Sequence, residues 1–406
     1  MRILVSSCLP LDHGGYPNQL NYLLGRLWSS GQIKLGVICW NFTMPYCPHA
    51  VPLSKVLEID EFRRVSEDMD LEMYGDIDFY MPENLTDFWK KLEIFYLDFK
   101  PDIILMYQDI LILPNYNIGK LCCKKYLYLP VHDTFHPHSL IPQHIADPDG
   151  KYVDSTFRFL PLFDKIATMS QFGKDVLESY RYQTTLIPHA IDQNVWIKLP
   201  PEDRKYLRDS MGIDDDCFVC LMVASNTELS NRKAFDYNMR AFRKFSEKYP
   251  NSKLILKCNM SGVADLVSVA RALGITGNIL NVSGKIRTFE MVRLYNIANV
   301  LLSASKSEGF GIPIVESQMC GTPVITTNCT AMPENTHIGI CTEPKEVSVV
   351  VRMEDRLHNS WSHPDVDNLV SALERIRCSE LSADFPKTAY SPDALWGRWK
   401  EFLEIF

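Results

Sequence analysis

The sequence predicts an α/β protein made of two Rossmann-like, doubly wound domains that face each other across a cleft. Three observations carry this. Short β-branched apolar runs alternate with amphipathic helical stretches along most of the chain, as in parallel sheets covered by crossover helices. At 406 residues the chain exceeds the size at which one hydrophobic core stops growing. A polar segment from Asp192 to Asp216, carrying Pro200 and Pro201, divides the strand candidates into two series and reads as the hinge.

The first series places strands at Arg2–Ser7, Ile33–Trp40, Pro101–Tyr107, Tyr126–Val131, Lys165–Ser170 and Thr184–Pro188. Between the first two, Leu20, Leu23, Leu24 and Leu27 fall at helical spacing and Gly31 is a natural stop. The second series places strands at Phe218–Ala224, Lys253–Asn259, Asn278–Gly284, Val300–Ser305, Pro323–Thr327 and Ile338–Thr342. The expected division is residues 1–195 and 196–391. A tail helix, about 392–406, presents Leu395, Trp396, Trp399, Phe402 and Leu403 on one apolar side and must pack on something. From about Pro45 to Phe99 the chain is acidic and aromatic without clear periodicity, and reads equally as helices or as an irregular insertion.

Composition removes several functions. Hydrophobic residues are 46% and charged residues 23%, an ordinary globular balance that excludes wholesale disorder. The net charge of -8 argues against a nucleic-acid partner, which a basic face should serve. The N-terminus lacks the basic start and apolar run of a secretory signal, and no stretch approaches the roughly 20 apolar residues needed to span a bilayer. A reduced, cytoplasmic protein, soluble or peripherally attached to a membrane, is expected, so the five N-x-S/T triplets carry no weight. The one C-x-x-C, Cys217 and Cys220, lies in a strand candidate where the two side chains point to opposite faces, with no second pair to complete a zinc site.

The most informative stretch is Ser303–Thr327, SASKSEGFGIPIVESQMCGTPVITT. A strand ends near Ser305, a glycine-containing loop follows, and a helix begins with Pro313 in its first turn and stops at Gly321. Glycines let backbone N–H groups approach a ligand, and a helix N-terminus favours anionic oxygens. Glu308 lies on the loop and Glu316 within about the first turn, seven residues apart, so both can project into one crevice. Carboxylates beside a phosphate site are costly unless they bind something else. Sugar hydroxyls, neutral donors that reward an ionised acceptor, fit that requirement.

The run E-G-F-G-I-P-I-V-E-S-Q-M-C-G-T-P-V-I resembles the E-x7-E signature of retaining glycosyltransferases of the GT-B fold, particularly glycosyltransferase family 4. TMSQFGKDVL, LIPHAID, NRKAFDYNMRAF and LYNIANVLLSAS agree in order and spacing. The resemblance is strong from Asp164 to Asn328, moderate over Arg2–Leu24, weak over Ala331–Phe406 and nearly absent over Pro45–Phe99. It implies that the tail helix packs back on the first domain. It implies that Glu316 binds the ribose of a sugar nucleotide and Glu308 the donor-sugar hydroxyls near the reacting carbon. Backbone groups of Gly309, Phe310, Gly311 and Ile312 would touch the sugar and diphosphate. Arg232 and Lys233 would neutralise the departing diphosphate, a large electrostatic contribution. Here the two are adjacent, whereas many relatives space them further apart.

Gly14 and Gly15, after the first strand, resemble the loop that approaches donor phosphate and acceptor. His132, in the histidine-rich stretch Tyr128–His144, matches a histidine that contacts the donor sugar, with Asp133 either orienting it or serving an ordinary turn. His136 and His138 either flank the acceptor or cap their loop. His189 stands where much of the family has Asn, and is expected to shape the hinge. Gly284 and Ile286, in the segment Gly284–Arg287, would lie against the base mostly through backbone, so uracil and guanine are not separated. The segment Phe79–Phe99, with Lys90 and Lys91, reads as an amphipathic helix on the first-domain core rather than a contact for membrane or a lipid-linked acceptor.

The expected function is a retaining hexosyltransferase that moves sugar from a UDP- or GDP-sugar to a hydroxyl of a glycan, glycolipid or glycoprotein precursor. With no D-x-D pair at a donor-site strand end, no cofactor or obligatory divalent metal is expected. An oxidoreductase would need a G-x-G-x-x-G after the first strand, which Gly14 and Gly15 do not supply. A sugar-nucleotide epimerase or hydrolase of the same fold, and a non-catalytic sugar-nucleotide binding protein, are the alternatives.

Overall fold

A computed structural model describes residues 1–8, 10, 15–39, 50–51, 72–81, 85–108, 118–131, 157–227, 231–352, 357–378 and 385–406. The first sheet contains β1 (Arg2–Ser7), β2 (Lys34–Cys39), β3 (Asp78–Tyr80), β4 (Ile103–Tyr107), β5 (Lys124–Tyr128), β6 (Lys165–Thr168) and β7 (Thr184–Leu186) in the order β3-β2-β1-β4-β5-β6-β7. Every pairing is parallel. The second contains β8 (Phe218–Val223), β9 (Ser252–Lys257), β10 (Ile279–Asn281), β11 (Val300–Leu302), β12 (Val324–Thr327) and β13 (Gly339–Thr342), ordered β10-β9-β8-β11-β12-β13 and again parallel. Each sheet reverses strand order once, between β1 and β4 and between β8 and β11.

Besides a single helical turn at Glu72–Gly75, the helices in chain order are α1 (Gly15–Ser29), α2 (Leu85–Phe99), α3 (Gln171–Ser179), α4 (Pro201–Ser210), α5 (Phe235–Lys248), α6 (Leu266–Leu273), α7 (Thr288–Ile297), α8 (Ile312–Met319), α9 (Met332–Asn335), α10 (Val366–Cys378) and α11 (Pro392–Leu403). Strands buried on both faces divide their side chains between two apolar layers: Ile3 and Val5 of β1 join one, Leu4 the other. Cys217 and Cys220 are likewise split between layers. One layer continues from the first sheet through Ile191 and Trp196 to Val219, Leu221 and Ile314, so the domains share apolar packing.

The tail helix α11 returns to the first domain. Leu395, Trp399, Phe402 and Leu403 are buried, with Trp399 against Tyr107 and Tyr128 and Phe402 against Tyr126. Lys124 and Lys165 pair with Glu404 beyond its end.

One expectation is corrected. The hinge is shorter than Asp192–Asp216, because α4 belongs to the second domain. Its Arg208, inside that polar segment, is wholly buried and donates to Ile297 O, Asn299 Oδ1, Asp214 O and Cys217 O. Of the acidic, aromatic region, left open between helices and an irregular insertion, the described part includes the expected amphipathic helix on the first-domain core, α2, whose Leu92, Phe95 and Phe99 are buried there, and the unforeseen strand β3. A hairpin, β14 (Pro344–Arg352) with β15 (Leu357–Pro364), was not foreseen. Among the described residues no helix is long and apolar enough to cross a membrane.

Candidate active site

In open parallel sheets, ligands bind beyond the carboxyl ends of strands where their order reverses. In the second sheet that point lies between β8 and β11, and the loops leaving those strands carry Arg232, Lys233 and Glu308. Oε1 of Glu308 accepts from Lys233 Nζ at 2.6 Å and from Ser305 Oγ at 2.7 Å. Its Oε2 accepts from Arg232 Nη1 at 3.2 Å, and the same nitrogen donates to Ser307 O at 2.9 Å. Lys306 N donates to Arg232 O at 2.8 Å, tying the two loops together. Glu308 is 7% exposed. Burial acts to raise its pKa, but Lys233 and then Arg232 outweigh it and hold the carboxyl down at about 2.

The backbone around this cluster is strained. Asn231 and Ala234, which bracket the two cations, have φ of 48° and 50°. Thr330, whose Oγ1 accepts from Glu308 N at 2.9 Å, has φ 50°. These are three of the six non-glycine residues with positive φ among those described. Such strain costs about 1–3 kcal/mol per residue and persists only where surrounding contacts enforce it. The enforcing contacts are visible. Asn231 Oδ1 accepts from Phe235 N, and its Nδ2 donates to Asp236. Asn238 of α5, fully buried, donates to Ala234 O and Ala304 O and accepts from Ala304 N.

Glu316 occupies a different environment. It lies in the second turn of α8 rather than the first, because the helix begins at Ile312 on a left-handed Gly311 (φ 85°). Its Oε2 accepts from the Tyr295 hydroxyl of α7 at 2.8 Å. Burial pushes the carboxyl from 4.5 up to about 7, only partly offset by that hydrogen bond. Two carboxyls seven residues apart are thus driven in opposite directions, one permanently ionised and one poised near neutrality.

The first domain meets this loop directly. A Cβ on Gly15, which opens α1, would stand 2.9 Å from Ile312 Cδ1. The absence of a side chain therefore permits the close approach of α1 to the start of α8. His189 follows β7, and its ring lies edge-on to Phe310 with centroids 5.0 Å apart. Burial lowers the His189 pKa to about 3, so the imidazole is neutral. Asn335 Nδ2 donates to Phe310 O and accepts at Oδ1 from the Tyr390 hydroxyl. Glu334 of α9 accepts from Gln171 N and Phe172 N, the first amides of α3 in the other domain.

Gly309, Phe310, Gly311 and Ile312 are therefore at the domain junction beside Glu308. Gly284 (φ 79°) and Ile286 stand on the same carboxyl side of the sheet but beyond β10, two strands from β8; Lys257 Nζ donates to Gly284 O. Gly14 and His132, with Asp133, His136 and His138, lie outside the described residues. Sequence reasoning missed Asn231, Asn238, Ser305, Tyr295, Thr330 and Glu334. Asn231 carried a usable signal, since Asn just before a helix start tolerates left-handed geometry. Ser305 acts on Glu308 only three residues away, but a serine at a strand end carries no distinctive pattern; the others act through contacts distant in sequence.

Comparison with known proteins gives the same direction. Residues 203–360 match the family model described as glycosyl transferases group 1. The chain is 27% identical over 165 residues to an alpha-monoglucosyldiacylglycerol synthase of Acholeplasma laidlawii, covering 39% of this chain and 40% of that protein. It is 28% identical over 234 residues to a D-inositol 3-phosphate glycosyltransferase of Rhodococcus erythropolis, covering 55% and 49%. The aligned part thus spans half or less of these curated relatives. Over whole chains, the fold is similar to Anabaena Alr3699/HepE in complex with UDP-glucose, with a TM-score of 0.64, 15% identity and 100% of both chains covered. It is also similar to sucrose-phosphate synthase from Thermosynechococcus elongatus, with a TM-score of 0.63, 14% identity, and 99% of this chain and 94% of that one covered. The fold is GT-B.

Proposed function

We propose that this chain, whose residues 203–360 match the glycosyl transferases group 1 family model, is a retaining glycosyltransferase using a nucleotide-diphosphate sugar. The second domain would hold the donor and the first the hydroxyl acceptor, a glycan, glycolipid or glycoprotein precursor. The observation that carries this reading is the convergence of Arg232, Lys233 and Glu308 at the strand-order reversal of the second sheet. Two fixed cations there suit a diphosphate, and an ionised carboxylate beside them suits sugar hydroxyls. UDP-glucose bound to a protein of the same fold supports the donor class.

In this reading the bond between the sugar's anomeric carbon and the diphosphate oxygen breaks, and its electron pair stays on the diphosphate. Arg232 and Lys233 stabilise that charge. The acceptor oxygen bonds to the anomeric carbon on the face just vacated, and its proton passes to the leaving diphosphate. Glu308 and His132 orient the sugar, Glu316 binds the ribose, and binding energy goes into closing the cleft between the domains. No divalent metal is required, so turnover persists in EDTA.

The test incubates the protein with UDP-, GDP- and ADP-sugars and a panel of glycan and glycolipid acceptors, reading product anomers by NMR. Retained anomeric configuration, with nucleotide released only when acceptor is present, is expected. Inverted product, or nucleotide released equally without acceptor, refutes the reading.

A further inference from the structure

The donor cations are already engaged by a carboxylate of their own protein. Lys233 and Arg232 reach Glu308 at 2.6 and 3.2 Å, and the side chains of all three are largely buried. Ser305 Oγ holds the same carboxylate from the strand side at 2.7 Å. Resting on the donor reading above, we infer that Glu308 is an intramolecular stand-in for the diphosphate: it neutralises Lys233 and Arg232 in the donor-free enzyme and competes with diphosphate for them.

The physical argument is one of exchange. Two buried cations without an anion would be costly, so an empty site needs an internal counter-charge. A diphosphate offers these cations more acceptor oxygens than one carboxylate. When it binds, it displaces Glu308, whose oxygens become available to sugar hydroxyls on the same ligand. Sugar recognition is thereby conditional on diphosphate occupancy. After transfer the sugar hydroxyls leave with the product, Glu308 returns to the cations, and the nucleoside diphosphate is expelled. The carboxylate so opposes the binding of one part of the donor while rewarding the other.

This predicts a sign that an ordinary ligand-binding glutamate would not give. Glu308→Gln should bind inorganic pyrophosphate and UDP about tenfold more tightly than wild type, the scale of one lost charge-assisted competitor, while sugar transfer slows. Ser305→Ala, which loosens the carboxylate without removing its charge, should gain roughly two- to threefold, less than the full worth of the charge-assisted hydrogen bond it deletes. In a Lys233→Met background, replacing Glu308 by Gln should gain much less, since the contested cation is gone.

The experiment is calorimetric titration of the full chain and these variants with inorganic pyrophosphate and with UDP, alongside melting temperatures. Tighter binding in Glu308→Gln and Ser305→Ala, with a larger ligand-induced rise in melting temperature, supports the exchange. Equal or weaker binding in folded Glu308→Gln overturns it; where that variant does not fold, unchanged or weaker binding in Ser305→Ala overturns it. Sugar transfer by wild type without the affinity gain removes only the exchange. The affinity gain without any nucleotide-sugar turnover removes the transferase reading and leaves the exchange standing.

Discussion

Replacing Glu316 by Gln should stabilise the protein at alkaline pH and do little at acid pH. The substitution keeps the shape of the side chain and leaves an oxygen to accept the Tyr295 hydroxyl. Burial raises this carboxyl from 4.5 to about 7 in the folded state. A carboxyl whose pKa rises on folding binds more protons folded than unfolded between those two values. Stability in wild type therefore falls as pH climbs from about 4.5 through 7, and the loss is complete above it. At 1.36 kcal/mol for each pH unit of displacement, the full cost is about 3 kcal/mol. The assay is chemical unfolding of wild type and variant at pH 5 and pH 8, with the difference in unfolding free energy compared. The variant's relative stability should grow by about 2–3 kcal/mol between the two pH values. Parallel profiles would show that Glu316 ionises freely and that its buried placement is wrong.

Other substitutions probe the frame around the site. Asn238→Ala removes three buried hydrogen bonds between the Ala234 turn and the end of β11; a loss of about 2–3 kcal/mol is expected by denaturant unfolding, with weaker pyrophosphate binding. Gly311→Ala forces an L side chain into a φ of 85° and places its Cβ 2.6 Å from Ile314 Cδ1, so a loss of about 1–2 kcal/mol and reduced sugar transfer should follow. Glu334→Ala strips the acceptor from two amides of α3 across the domain junction; melting should fall by an amount equivalent to about 1–2 kcal/mol. Its radius of gyration by solution scattering should rise, and an unchanged radius would deny Glu334 a role in holding the domains together.

Much of this was legible in the sequence because parallel strands buried on both faces leave continuous apolar runs. β1 matches its expected limits, and Leu20, Leu23, Leu24 and Leu27 all turn inward from α1. The loop from Ser303 to Gly311 was legible because close backbone approach and a helix start leave glycines and a proline at fixed places. What escaped notice depends on tertiary contact. Arg208 is one charge among several in a polar segment, and only the four carbonyl and amide oxygens that surround it in the fold mark it as buried. β3 is only three residues long, too short for alternation to register. The opposite treatment of Glu308 and Glu316 is likewise invisible in E-x7-E, because Lys233 comes from 75 residues upstream and Tyr295 from another helix.

The most direct test of the donor site is calorimetric titration with UDP-, GDP- and ADP-linked sugars of wild type and Lys233→Met. At least one nucleotide sugar should bind wild type at one site per chain, and the variant should lose about 10- to 100-fold, the worth of one charged hydrogen bond to phosphate. Binding that survives undiminished in the variant, or no binding of any of the three to wild type, would contradict the assignment.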